Sequence, residues 1–138
     1  MTLNNLAAGA GRVGARLDLG AGSTPGDFEI RVTLQFETAP VVGETVDIYL
    51  ATSNGTEEDG QVGSADAAVT EDHLKNLNFI GSLVVTSTDA DHDMTASFMA
   101  RVSTRYVSVV AFNNTADNLQ ATNDTGEITL TPVPPESQ

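Results

Sequence analysis

Residues 28–37 alternate without a break: Phe28, Ile30, Val32, Leu34 and Phe36 interleave with Glu29, Arg31, Thr33, Gln35 and Glu37. Successive side chains of a β-strand point to opposite faces, so this run predicts a strand with one buried and one wetted side and is incompatible with an amphipathic helix. The same period marks residues 12–19, where Val13, Ala15, Leu17 and Leu19 oppose Arg12, Gly14, Arg16 and Asp18. It recurs in 44–52, where Val46, Ile48 and Leu50 share a side. Residues 79–86, 94–101, 106–113 and 127–133 complete seven predicted strands, each ended by Gly, Pro, Asn or Asp clusters. Residues 106–112 are apolar on both faces apart from Ser108, which predicts a central strand. Seven strands without a long helical pattern predict an all-β fold: an antiparallel β-sandwich, jelly-roll-like or alternatively immunoglobulin-like.

The 138 residues suit one domain, long enough to bury roughly two-thirds of the surface its unfolded chain exposes. Composition divides the chain into an N-terminal arm (1–11), a sandwich domain (12–131) and a Pro-rich C-terminal tail (132–138). The arm is rich in Ala, Gly and Asn, with only Leu3 and Leu6 to anchor it, and Pro132, Pro134 and Pro135 impose an extended exit. Both ends are expected to order on a neighbouring subunit. Two connections, 53–78 and 114–126, exceed the usual loop length and are therefore the first places to look for function or assembly. Within the first, residues 70–77 predict a short helix with Thr70 as N-cap and Leu74 and Leu77 pinning it to the sheet.

Charge narrows the function. Nineteen Asp and Glu against six Lys and Arg give a net charge of −13, which disfavours nucleic acid and anionic membrane as partners. Five Phe, two Tyr and no Trp leave little to stack on sugars or bases. With no Cys, neither a disulfide framework nor a thiolate metal site is available, and stability rests on packing. The first residues lack a basic start and a continuous apolar run, and no stretch approaches the ~20 apolar residues of a membrane span, so a cytoplasmic site of synthesis is expected.

No catalytic constellation emerges. Residues 89–93 read Asp-Ala-Asp-His-Asp, the opening of a calcium loop, but Met94 stands where such a loop needs Gly and Ala100 where it needs a bidentate Glu. A solvated turn is the expectation there, as it is for the acidic cluster Glu57, Glu58 and Asp59. The two histidines, His73 and His92, fall in predicted loops with no serine elbow beside them, so no enzyme activity and no cofactor are expected. The sequons at Asn54, Asn113 and Asn123 carry no weight without a secretory signal.

The arginines are more informative. Arg12, Arg16, Arg31, Arg101 and Arg105 fall in or beside predicted strands, whereas Lys75 lies in a loop. Arginine forks bind carboxylates bidentately and are enriched at protein interfaces. Two destinations are open to them: carboxylates on adjacent strands of the same chain, or those of a neighbouring subunit. The candidate interface residues are Leu3, Leu6, Arg12, Arg16, Arg101, Arg105, Pro132, Pro134 and Pro135.

Several segments, taken in order, resemble small β-rich proteins encoded among the head genes of tailed phages and prophages. They are Arg16-Leu17-Asp18-Leu19-Gly20, Gly63-Ser64-Ala65-Asp66-Ala67-Ala68, the run from Leu74 to Leu83, Arg105-Tyr106-Val107, and the ending from Leu130 to Gln138. The resemblance implies a capsid decoration, or cement, protein. Such a β-sandwich binds the outside of an assembled head, commonly as a homotrimer, and reinforces junctions between subunits of the major capsid protein. It implies location on the virion exterior, no nucleic acid or membrane partner, and no family-defined contact residue. A carbohydrate- or receptor-binding sandwich of a head fibre or tail-associated adhesin is the alternative, with residues 89–93 as its calcium-assisted site.

Overall fold

The computed structural model describes residues 1, 3–21, 26–121 and 126–134. Its strands are β1 (Gly11–Val13), β2 (Leu17–Asp18), β3 (Gly26–Leu34), β4 (Thr45–Ser53), β5 (Ala67–Val69), β6 (Asn78–Val84), β7 (Met94–Val102), β8 (Tyr106–Asn114) and β9 (Glu127–Val133); the one α-helix among the described residues is α1 (Glu71–Leu74). They form two antiparallel sheets packed as a sandwich. Sheet A has the order β5-β1-β8-β4-β6, with β2 also on β8, and sheet B the order β7-β3-β9. The chain crosses between sheets at β2–β3, β3–β4, β6–β7, β7–β8 and β8–β9. No helix among the described residues is long and apolar enough to cross a membrane.

Between the sheets lies the main core, where Ile30, Val32, Leu34 and Phe36 meet Val46, Ile48, Leu50, Leu83, Val107 and Val109. The alternation in residues 28–36 is thus a buried face, with Phe28 half-buried at its start. At the β6–β7 edge Phe98 packs against Gly81, where an added Cβ would fall 2.6 Å from the ring, so a larger residue there would push the ring away.

A second apolar cluster sits on the opposite, outer face of sheet A. Val13, Ala51, Val110 and, from the edge strand β5, Val69 pack against Val62 of the connection between β4 and β6, joined by Leu74 and Leu77 at and just after α1. This explains why β8 is apolar on both faces: it is central in its sheet and covered on both sides. The backbone N–H of Thr70 donates to Nδ1 of His73 at 2.9 Å and fixes the start of α1, so this histidine serves the helix end. The long 53–78 connection is therefore a structural cover.

Three expectations need correction. Residues 12–19 are two strands: at 14–16 the backbone leaves the regular ladder, Gly14 N–H donating to the Val109 carbonyl and Arg16 N–H to that of Ser64. Strand β5 was not expected, because three residues are too short to show a period. Most consequentially, the arm 1–11 is not separable from the sandwich. Leu3 and Leu6 are only 2% and 8% exposed and belong to the main core, where no neighbouring subunit can use them.

What holds that segment is polar. Asn113, fully buried on β8, donates through Nδ2 to the Leu6 and Asp117 carbonyls at 3.1 and 2.8 Å, while its Oδ1 accepts from the Thr115 N–H and hydroxyl. Backbone bonds continue the seam. Gly9 N–H donates to Asn113 O, Asn113 N–H to Ala10 O, Leu119 N–H to Leu6 O and Gln120 N–H to Gln35 O. The second long connection thereby stitches the N-terminal segment to the end of β3, with Leu119 buried between them.

Two stability measurements follow from this packing. Leu6→Ala and Leu34→Ala should each cost ~2–5 kcal/mol in urea unfolding; a mobile arm would make the Leu6 change neutral. Ser108 is buried, and its hydroxyl has no partner among the described residues. Ser108→Ala should therefore stabilise the fold by about 1 kcal/mol, read as a higher urea midpoint at unchanged slope.

Candidate interaction surfaces

The structure sends the arginines mainly to carboxylates of their own chain. Arg12 Nε lies 2.5 Å from Asp66 Oδ1, and the amino terminus lies 4.0 Å from the other oxygen. Arg16 Nη1 donates to Glu58 Oε1 at 2.8 Å and to the Gly55 carbonyl at 3.0 Å. Arg105 grips Asp18 bidentately, Nε to Oδ1 at 2.7 Å and Nη2 to Oδ2 at 2.6 Å. Arg101 faces Asp27 across the β3–β7 pair at 4.0 Å, both well exposed, a contact worth little. Two of the expected arginines, Arg16 and Arg105, come together, each guanidinium carbon 4.8 Å from the centre of the Tyr106 ring. Gly55 makes room for that ring: its φ is +100°, and a Cβ there would stand 2.9 Å from the ring edge.

Asp18 feels this pairing. The hydrogen bond from Arg105, aided by the Gly20 N–H, lowers its pKa from 3.8 to about 2. Arg31 differs from the other arginines. It stands on the outer face of sheet B between Ser97 and Thr129, exposed, and makes no ion pair among the described residues.

Pro132 belongs to β9, opposite Phe28, on an edge of sheet B. A residue without an N–H is tolerated at an edge, where no further ladder has to form. Pro134 follows as an exposed residue, and Pro135 lies outside the described residues.

The acidic turns are internally engaged. Asp89 Oδ1 accepts from the Asp91 N–H, Asp93 Oδ1 from Gln35 Nε2 at 2.8 Å, and Asp91 Oδ1 from Gln120 Nε2. In the other turn, Asp59 Oδ2 accepts from both the N–H and the hydroxyl of Thr52. Among the described residues no group of three or more His, Asp or Glu is arranged to hold a metal ion. The glutamine and backbone donors use these oxygens to shape turns.

A surface that the sequence did not reveal lies on the outer face of sheet A, along the margin of the covering connection. There Asp47 and Tyr49 of β4 lie beside Ser82 and Phe79 of β6, and Phe112 and Asn114 of β8 lie on the other side. Tyr49 and Phe79 meet edge-on, 5.4 Å between centroids at 65°. Tyr49, Phe112 and Leu74 line a shallow depression of about 290 Å³, with Asp47, Glu71 and Lys75 around it. Burial, with the Asp47 carboxylate adding, pushes the Tyr49 phenol up from its ordinary value, so it stays protonated. Phe79 is 57% exposed, and Val84, Val41 and Val42 are exposed toward the β3–β4 turn. The only sequence trace of this surface is Tyr49, an aromatic on the side of β4 opposite its core residues.

No protein-family model, curated protein or solved structure matches this chain. Its class therefore rests on the geometry: an all-β, two-sheet sandwich.

The Asp18–Arg105 pair gives a pH-dependent prediction. Folding lowers the Asp18 pKa, so the native chain keeps this charge where the unfolded chain has begun to take up a proton. The stabilisation is fully present above pH 3.8 and is lost as pH falls through about 2. A carboxyl-carbon NMR titration should place the Asp18 midpoint near 2 in the native chain, rising toward the ordinary carboxylate value in Arg105→Gln. An unmoved midpoint would remove the pair.

Proposed function

We propose that this chain is a structural virion protein that binds the outer surface of a phage head and reinforces junctions between major capsid subunits, itself associating as a homotrimer. The ordered resemblance of its segments to decoration proteins is one support, and the sandwich fold is compatible with it. The observation that carries the reading is apolar exposure in an acidic domain. Phe79 and Val84 on an edge strand, Val41 and Val42 on a turn and Met99 on sheet B all present large side chains to solvent. A protein that works by lying on another protein needs such contacts, ringed by polar groups.

Intramolecular pairing removes Arg12, Arg16 and Arg105 as ready contacts for self-association and leaves Arg31 and the loosely paired, exposed Arg101 as the arginines offered to a neighbour. The carbohydrate-binding alternative loses the support of the 89–93 turn, whose carboxylates are engaged with Gln35, Gln120 and the turn's own backbone.

The test is mixing the purified chain with heads assembled without it. Saturable binding to expanded heads, visible as surface density by cryo-EM, with decorated heads surviving higher temperature than bare ones, is the expected outcome. No saturable binding to either procapsids or expanded heads would overturn the proposal.

A further inference from the structure

We infer that the outer face of sheet A, where the covering connection ends at α1, is a docking site for a basic segment of a partner protein, which lays an arginine or lysine side chain beside Tyr49 and Phe79 into the depression bearing Asp47 and Glu71. Three independent features lead there.

The first is a β-bulge. Leu83 and Gly81 of β6 face inward, against Val46 and Ile48, and in a regular strand Phe79 would follow them into the core. The register shifts between Ile48 and Tyr49, so Ile80 and Gly81 are accommodated opposite Ile48 and Phe79 comes opposite Tyr49 on the outer face. Bulges that re-aim a side chain recur beside functional sites. Here the bulge places a large apolar ring in water, an arrangement that a second surface would relieve.

The second is the shape of the aromatic pair. The rings pack edge-on against each other, which holds the exposed Phe79 ring in place as a surface on which an ammonium or a guanidinium can rest. The third is charge. The depression carries the carboxylates of Asp47 and Glu71, and Asp47 Oδ1 is held by the Ser82 hydroxyl at 2.6 Å, which leaves Oδ2 for a ligand. Its one cation, Lys75, is drawn to Asp72 at 2.5 Å. In a chain of net charge −13 whose arginines mostly engage their own carboxylates, the cation that complements this site comes from a partner.

The inference does not require the partner to be a capsid subunit. Head binding without peptide binding at this site would sink the inference alone, and the converse would sink the decoration reading alone.

The test is a nitrogen-15 NMR titration with an acetylated, amidated tetra-arginine peptide. Saturable shifts are expected at Asp47, Tyr49, Phe79, Ser82 and Glu71. Phe79→Ala and Asp47→Asn should each weaken binding roughly threefold or more. Phe79 is exposed, and Asn at 47 still accepts the Ser82 hydrogen bond, so both variants should keep the native spectrum. Glu57→Gln removes the same charge as Asp47→Asn from a turn outside the depression and should leave binding unchanged. The inference is overturned if shifts spread over the acidic surface with equal losses for Asp47→Asn and Glu57→Gln, or if the peptide does not bind. It is also overturned if an oligosaccharide panel, and not the peptide, shifts these amides.

Discussion

A sheet five strands across cannot be covered by one three strands across, and the rest of this molecule follows from that mismatch. Sheet B buries only part of sheet A, and the surplus apolar surface has to be screened by chain that forms little regular structure. Inside the sandwich the N-terminal segment supplies Leu3 and Leu6 at that margin; the outer face of sheet A, which sheet B never meets, is covered separately by Val62, Leu74 and Leu77 of the β4–β6 connection. Irregular backbone next to a core leaves donors and acceptors to satisfy, and the Asn113 side chain meets that requirement where the N-terminal segment, β8 and the 115–120 loop converge.

Where a residue's fate depended on strand parity alone, the sequence was a good guide. The alternation in residues 28–36 became the buried face of β3, the two-sided apolar run became the central strand β8, and Leu74 and Leu77 pinned the helical turn, because each pattern is local. The arm and the long connections were misjudged for a common reason: their burial is decided by partners far away in sequence. Leu6 is held by Asn113 and Leu119, more than a hundred residues on, and a composition of Ala, Gly and Asn contains no trace of that. The arginines illustrate an ambiguity of another kind. Their alternation placed them at the surface, but whether a fork closes on its own chain or on a neighbour depends on loop carboxylates such as Glu58 and Asp66, whose position no strand pattern fixes.

The same division explains the electrostatics. With so few cations, each guanidinium beside a loop acid neutralises local repulsion and ties loop to strand: Arg12 to the β5 approach, Arg16 to the turn after β4, Arg105 to β2. These pairs are mostly solvent-accessible, so they fix loop geometry more than they add stability. Nineteen acids against six Lys and Arg leave a large surplus of negative charge, which sets the sign of whatever the chain meets.

The shifted register between β4 and β6 has a consequence for how such a surface arises. On a strand, which face a side chain occupies is a matter of counting, and one extra residue reverses the count for everything beyond it. Phe79 is therefore outside because of the length of its strand, not because of its chemistry. Gain or loss of this patch in a lineage would come through single-residue insertions and deletions, which could hide the ring or present it while leaving every amino-acid type in the neighbourhood unchanged.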